Sequence, residues 1–292
     1  MFDQTRPPNY RLRRPKQWRG GLILASPHSG RDYPDWFLAH STLDPLALRA
    51  SEDAFVDRLI APARAMGAVV LSARVPRCVV DLNRARDDLD PGAIEGVKGV
   101  VSARSRAGLG VIPRVVARGR AIRARPIPRD EAETRLAMLW QPYHDALDAL
   151  MAEAVARFGQ AVLIDVHSMP HEAVAQMASP PQVVLGDLWG ESCGAWLRHA
   201  VAGAVVGEGL SLSRNVPFAG AHILTRHGRP LAGRHALQLE IDRALYMDEA
   251  KVCPNQNFSA LATSLGRLWQ RIAELCDERA LVRVNNLPGG PE

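Results

Sequence analysis

No run of about 18 consecutive apolar residues occurs in this chain of 292 residues, so the sequence offers no membrane-spanning helix. Cysteine is scarce. The four present, Cys78, Cys193, Cys253 and Cys276, are far apart and form no CxxC pair, which argues against a zinc ribbon and against a disulfide framework. Reduced, mostly buried thiols are expected. Lysine stands only at positions 16, 98 and 251, so the net charge of +5 is almost wholly arginine's. The densest basic stretch, Arg104 to Arg129, contains no aromatic residue and lacks the stacking groups with which single-strand binders hold bases. Nucleic acid is therefore disfavoured as a partner, and an anionic small molecule fits the charge equally well. The first 19 residues contain no apolar core segment, and Pro7, Pro8 and Pro15 oppose an amphipathic helix. They read as a polar surface arm rather than a secretory signal, and a cytoplasmic location is expected. Internal repeats and low-complexity linkers are missing too, so a single domain over residues 1–292 is expected.

What is present is an alternation of short apolar runs and helical periods. Residues 20–27, 68–72, 78–82, 161–166, 182–185 and 236–241 read as strands. Residues 53–66 have helical spacing, interrupted at Pro62 and ended by Gly67. Asp130 to Phe158 is the clearest helix, with Asp130 as its expected N-cap and Pro142 as its kink or restart. Residues 192–206 and 258–279 are further helices, and the last residues, 284–292, read as a flexible tail. Residues 87–129 are rich in Gly, Pro, Asp and Arg without periodicity, as a lid or substrate loop would be. Strands alternating with helices predict a three-layer α/β/α domain.

Two of these strands end in histidine. The segment LILASPHSG, residues 22–30, delivers His28 into a turn, and AVLIDVHSMP, residues 161–170, carries His167. The carboxyl ends of strands in open α/β sheets are where ligands bind, and two such histidines suggest a hydrolytic metal site. Either histidine alone could instead be structural. Asp165 shares a face with His167 and could orient its imidazole or accept a bond from buried backbone. A catalytic zinc needs about three protein ligands. The HxxE position after His28 holds Arg31, which cannot ligate; Asp32, Asp35, Glu52 and Asp53 follow. Ser51-Glu52-Asp53 also reads as a helix N-cap cluster. In VDLNR, residues 80–84, Asn83 and Arg84 suit a substrate carboxylate, although Arg84 could equally pair with a structural acid. Gln238, Glu240 and Asp242 alternate along ALQLEID and face one way, where a buried carboxylate could serve as general base. Arg226 and His227 lie in a loop that could contact substrate or face solvent.

PHSG, SEDAFVDRL, VDLNR, PYH (142–144), IDVHS, FAGAHILTRHGRP and HALQLEIDRALYMDE together resemble the N-formylglutamate amidohydrolase family, in that family's order and over residues 22–249. That family is similar in turn to zinc carboxypeptidases and aspartoacylases. The resemblance implies a zinc-carboxypeptidase-like α/β/α fold with a mixed, largely parallel sheet. It implies one Zn2+ per chain held by His28, Asp53 and His167, with Glu240 as the acid/base. It implies Asn83 and Arg84 as the substrate-binding pair, with Arg77 and Arg226 adding charge. The implied reaction is hydrolysis of an N-acyl acidic amino acid, most concretely N-formyl-L-glutamate to formate and glutamate. The alternatives are another N-acyl amino acid, a small peptide-like amide, or a non-catalytic anion- or nucleic-acid-binding role. This chain departs from the family where Gly-Tyr is replaced by Ala221-His222, where His-Tyr-Gly is shortened to His227-Gly228, and across residues 87–129.

Overall fold

The structure, a computed structural model, describes residues 8–285, the last four by backbone alone. Seven strands form the central sheet: β1 (Tyr10–Arg13), β2 (Leu22–Ser26), β3 (Val69–Ala73), β4 (Ala161–Met169), β5 (Val183–Gly186), β6 (Leu212–Arg214) and β7 (Arg234–Asp242), in the spatial order β1-β3-β2-β4-β7-β5-β6. Pairing is parallel except at β1 with β3 and at β5 with β7. The sheet is thus mixed and largely parallel, as expected.

The central strands are apolar on both faces because both faces are covered. The two-residue period of a strand divides their side chains between two cores. Ile23, Ala25, Leu71 and Leu163 point to one side, where they meet Tyr143, Leu147, Leu150 and Met151 of α2 (Gln141–Phe158). Leu22, Leu24, Ile164, Leu237 and Leu239 point to the other. There they meet α1 (Val56–Ile60), α3 (Ala195–Gly207) and α5 (Phe258–Asn285), with Trp269 fully buried among them. Each fully buried side chain of this size contributes roughly 1.5–3 kcal/mol of transfer free energy. A further short helix, α4 (His222–His227), leads into β7.

Several local expectations are corrected. Cys78 to Leu82 is not a strand: it is a buried succession of turns, its apolar residues filling the first core without ladder partners. A short apolar run has no periodicity with which to tell these apart. The helical region before Phe158 starts with Pro128, not Asp130, as N-cap, and runs Arg129–Arg135 before a π-helical turn, Leu136–Trp140. That turn accommodates Pro142, whose missing N–H interrupts the regular ladder at the junction with α2. The arm is not wholly a surface appendage, since Tyr10–Arg13 adds the antiparallel edge strand β1. Its residues 1–7 lie outside the described residues, as does most of the expected tail: α5 runs to Asn285, and 286–292 are not described. The stretch 87–129 holds only short elements, among them Ala103–Arg106 and a two-residue ribbon, Val115–Val116 with Arg120–Ala121. No helix among the described residues is long and apolar enough to cross a membrane, and the four cysteines are free.

Candidate active site

The carboxyl ends of β2, β4 and β7 lie side by side, and each delivers a polar residue to one cavity of about 420 Å³. Pro27 ends β2, and His28 follows it. His167 stands near the end of β4, and Glu240 is its direct partner across the ladder on β7. Asp53 comes from the irregular segment before α1, where its backbone N–H donates to His28 O at 3.0 Å. Two residues later Phe55 takes a left-handed conformation, φ 67°, an uncommon state for a bulky side chain that turns the chain sharply into α1.

The two histidines are held alike. His28 donates Nε2–H to Asp81 Oδ1 at 2.7 Å, and His167 donates Nε2–H to Asp165 Oδ2 at 2.9 Å. These contacts leave each Nδ1 turned toward the cluster, where a metal ion would take its lone pair. Both Nδ1 atoms face the same oxygen, Asp53 Oδ2, at 3.5 Å from His28 and 2.9 Å from His167. Three ligands placed tetrahedrally about 2.0–2.1 Å from a zinc ion stand about 3.3 Å apart, a value these two distances bracket. His28 Nδ1 is buried with no hydrogen-bond partner. The donor set, two imidazoles and a carboxylate each held from behind, therefore fits a divalent metal ion, and these three ligand atoms lie within 4.8 Å of one another.

The charge around the cluster points the same way. Burial disfavours ionisation of Asp53, yet His167 and His28 hold it well below the ordinary carboxylate range. Burial opposes Asp81 as well, and Arg77 and then His28 hold it low. His167, although buried, is drawn well above the ordinary imidazole value by Asp165 and Asp53. Such a site attracts positive charge. Glu240 differs: burial, reinforced by Asp53 and Asp165 and opposed by His167, pushes its carboxyl up to about 7. Gln238 donates Nε2–H to Glu240 Oε1 at 2.9 Å.

Part of the cavity wall is basic. Arg77, Arg84 and Arg104 line it, the last from the 87–129 stretch, which with Val115 to Gly119 forms one side. Burial lowers the Arg84 guanidinium, and repulsion by Arg77 and Arg104 lowers it further. Arg84 is held by donating Nε–H to Leu109 O and Nη1–H to Asn83 O. Asn83 is fully engaged: it accepts from Ile223 N at 2.8 Å and donates to Asp165 Oδ2 at 3.4 Å. Arg77 donates to Asp81 Oδ2 at 2.7 Å. Arg226 is not brought to the cavity. It points from α4 to Asp148, at 2.6 Å, over the Trp140 ring. The departures at His222 and His227 lie behind the wall, packed about His144, while Ala221 lines the cavity itself.

Arg31 at the HxxE position turns away to Asp57. Asp81 and Arg243 are functional candidates that the sequence did not single out. Asp81 sits in the VDLNR segment beside Asn83 and Arg84.

Fold and site together define an α/β protein with a mixed, largely parallel sheet and a buried His-Asp-His cluster suited to a metal ion. Comparison with known proteins agrees. Residues 20–247 match the model of the N-formylglutamate amidohydrolase family. The chain is 33% identical over 241 residues to N-formylglutamate deformylase of Pseudomonas aeruginosa, covering 80% of this chain and 85% of that protein. It is 30% identical over 244 residues to the Pseudomonas putida deformylase, with the same coverage. A crystal structure of N-formylglutamate amidohydrolase from Ralstonia eutropha JMP134 superposes with a TM-score of 0.88 at 33% identity, covering 93% of this chain and 99% of that one. The chain belongs to the N-formylglutamate amidohydrolase family, and it is an amide-hydrolysing enzyme.

Proposed function

We propose that the protein is a mononuclear zinc enzyme that hydrolyses N-formyl-L-glutamate to formate and L-glutamate. The observation that carries this reading is the convergence of two buried imidazole Nδ1 atoms on one oxygen of Asp53, with Glu240 across the ladder from one of them. His28, Asp53 and His167 would hold the ion. When bound, it supplies Lewis-acid polarisation and lowers the pKa of water toward about 7.

The remaining work belongs to the chain's own residues. Glu240 accepts a proton from water as the water oxygen bonds to the formyl carbon. Gln238 holds one Glu240 oxygen and leaves the other free for this task. As the carbon–nitrogen bond breaks, Glu240 returns the proton to the departing amine. Arg77 and Arg84 present guanidinium groups to the substrate's carboxylates and to the negative charge that develops on the formyl oxygen, where a well-placed donor contributes about 3–4 kcal/mol. Asn83 holds the Arg84 guanidinium through its backbone carbonyl and the start of α4 through its side-chain oxygen. Arg226 braces the wall through Asp148 and is given no substrate contact.

Formate release from a panel of N-formylglutamate, N-formylaspartate, N-formylglutamine and N-acetylglutamate tests this reading. N-formylglutamate is expected to have the highest kcat/KM. Equal or faster hydrolysis of the neutral side-chain analogue would contradict it.

A further inference from the structure

Asp53 must be held from outside its own segment. Residues 50–54 have no helix or strand of their own, and the left-handed Phe55 follows directly. A metal ligand on such a segment keeps its direction only if neighbours lock it. The neighbours come from the turn after β7. Arg243 is buried, and its Nη2–H donates to Asp53 Oδ1 at 3.1 Å, the oxygen turned away from the histidines. Its Nη1–H reaches Ala50 O at 3.3 Å, and Nε–H donates to Ser168 Oγ at 3.1 Å. Three residues on, Tyr246 donates its hydroxyl to Ala54 O at 3.0 Å. The planar fork thus spans the segment of one ligand, Asp53, and the residue after another, His167.

We infer that Arg243 is the positioning residue of the metal centre: it occupies Asp53 Oδ1 so that Oδ2 alone is presented to the ion and keeps its angle to both histidines. It completes a pattern in which every ligand is held from behind, His28 by Asp81, His167 by Asp165 and Asp53 by Arg243. The inference rests on the metal centre proposed above. It predicts that a cation so close to the ion strengthens metal binding, because geometry outweighs repulsion.

The test is zinc affinity of the purified full chain, measured by competition with a chromophoric chelator, alongside thermal unfolding of the metal-free protein. Wild type is expected to bind about one ion per chain. The Arg243→Met variant is expected to bind about 10–100-fold more weakly, as for other partners of metal ligands. In an Asp53→Asn background the same change should cost less than about twofold, because the two residues act as one unit. Ser168→Ala, which frees one donor of the fork without removing charge, should weaken binding several-fold and serves as the readout if Arg243→Met does not fold. Affinity unchanged or tightened in Arg243→Met, an equal loss with and without Asp53→Asn, or wild-type affinity in Ser168→Ala overturns the inference. Failure of the wild type itself to bind zinc overturns the metal centre instead.

Discussion

His167 and Glu240 face each other across one rung of the parallel ladder between β4 and β7. Paired residues on adjacent strands share a face, and strands lie about 4.8 Å apart. Glu240, the proposed general base, is therefore set beside the proposed metal ligand His167 by backbone hydrogen bonding rather than by a loop. A slip of one residue in that ladder would turn Glu240 to the opposite core.

Glu240→Gln should remove the proton acceptor while leaving His28, Asp53 and His167 in place. Turnover is expected to fall by about 10²–10⁴-fold, the usual contribution of a positioned acid/base. The bound metal per chain should not change. Steady-state formate release with metal analysis of the same sample checks both halves.

Asp81 and Asp165 each hold one imidazole from behind. Asp165→Asn should weaken metal binding by about 10–100-fold. Asp81→Asn should cost at least as much, because Asp81 also accepts from Arg77. Chelator competition on the two variants reads these losses, and the Asp81 variant should in addition show a raised KM.

The arginines should separate by position. Arg84→Met removes a guanidinium from the cavity wall and should raise KM for a dianionic substrate at least tenfold, with a smaller effect on a substrate lacking the side-chain carboxylate. Arg84→Lys should not restore it, since a point charge lacks the fork. Arg226→Met, whose side chain is engaged with Asp148 outside the cavity, should leave KM within about twofold, its half-exposed ion pair being worth at most about 1 kcal/mol.

Stability should fall on the acid side through the histidines behind the wall. Burial first, then repulsion by His222, His227 and Arg226, holds His144 down to about 2. Burial holds His227 down to about 3, with Arg234 and Arg226 adding to it and Asp148 opposing. In the unfolded chain both groups titrate near the ordinary imidazole value of about 6.5. Below that pH the unfolded state binds protons that the folded state does not, so stability present above about 6.5 is lost as pH falls toward about 3. His144→Gln should make the decline between pH 6 and pH 4 shallower by about one proton, or roughly 1.4 kcal/mol per pH unit. Urea unfolding across that range measures it, and an unchanged slope would mean His144 does not contribute.

The fold was legible where apolar runs alternate with helical periods, as a layered α/β domain requires. Residues 22–26 and 161–169 are strands because their alternate side chains fill two separate cores. Residues 78–82 are not a strand because an apolar run can be buried in turns as well as in a ladder. The His28-Asp53-His167 cluster was legible through two strand-end histidines and, for Asp53, through family resemblance, since nothing in its local sequence distinguishes a ligand from a cap. Asp81 was hidden beside the more conspicuous Asn83 and Arg84. Arg243 was hidden because an arginine after a strand ordinarily faces solvent, and only the long-range contact to Asp53 reveals its place. Arg226 illustrates the reverse: its motif matched the family, but α4 turns its side chain to Asp148.

The central claim is that His28, Asp53 and His167 form the metal centre on which amide hydrolysis depends. Titrating metal-free protein with Zn2+ while following formate release from N-formylglutamate tests it most directly. Activity should rise linearly and stop at about one ion per chain, and an Asp53→Ala, His167→Ala double variant should neither bind the ion nor turn over. Full activity in the metal-free protein, or zinc-restored activity in the double variant, would contradict it.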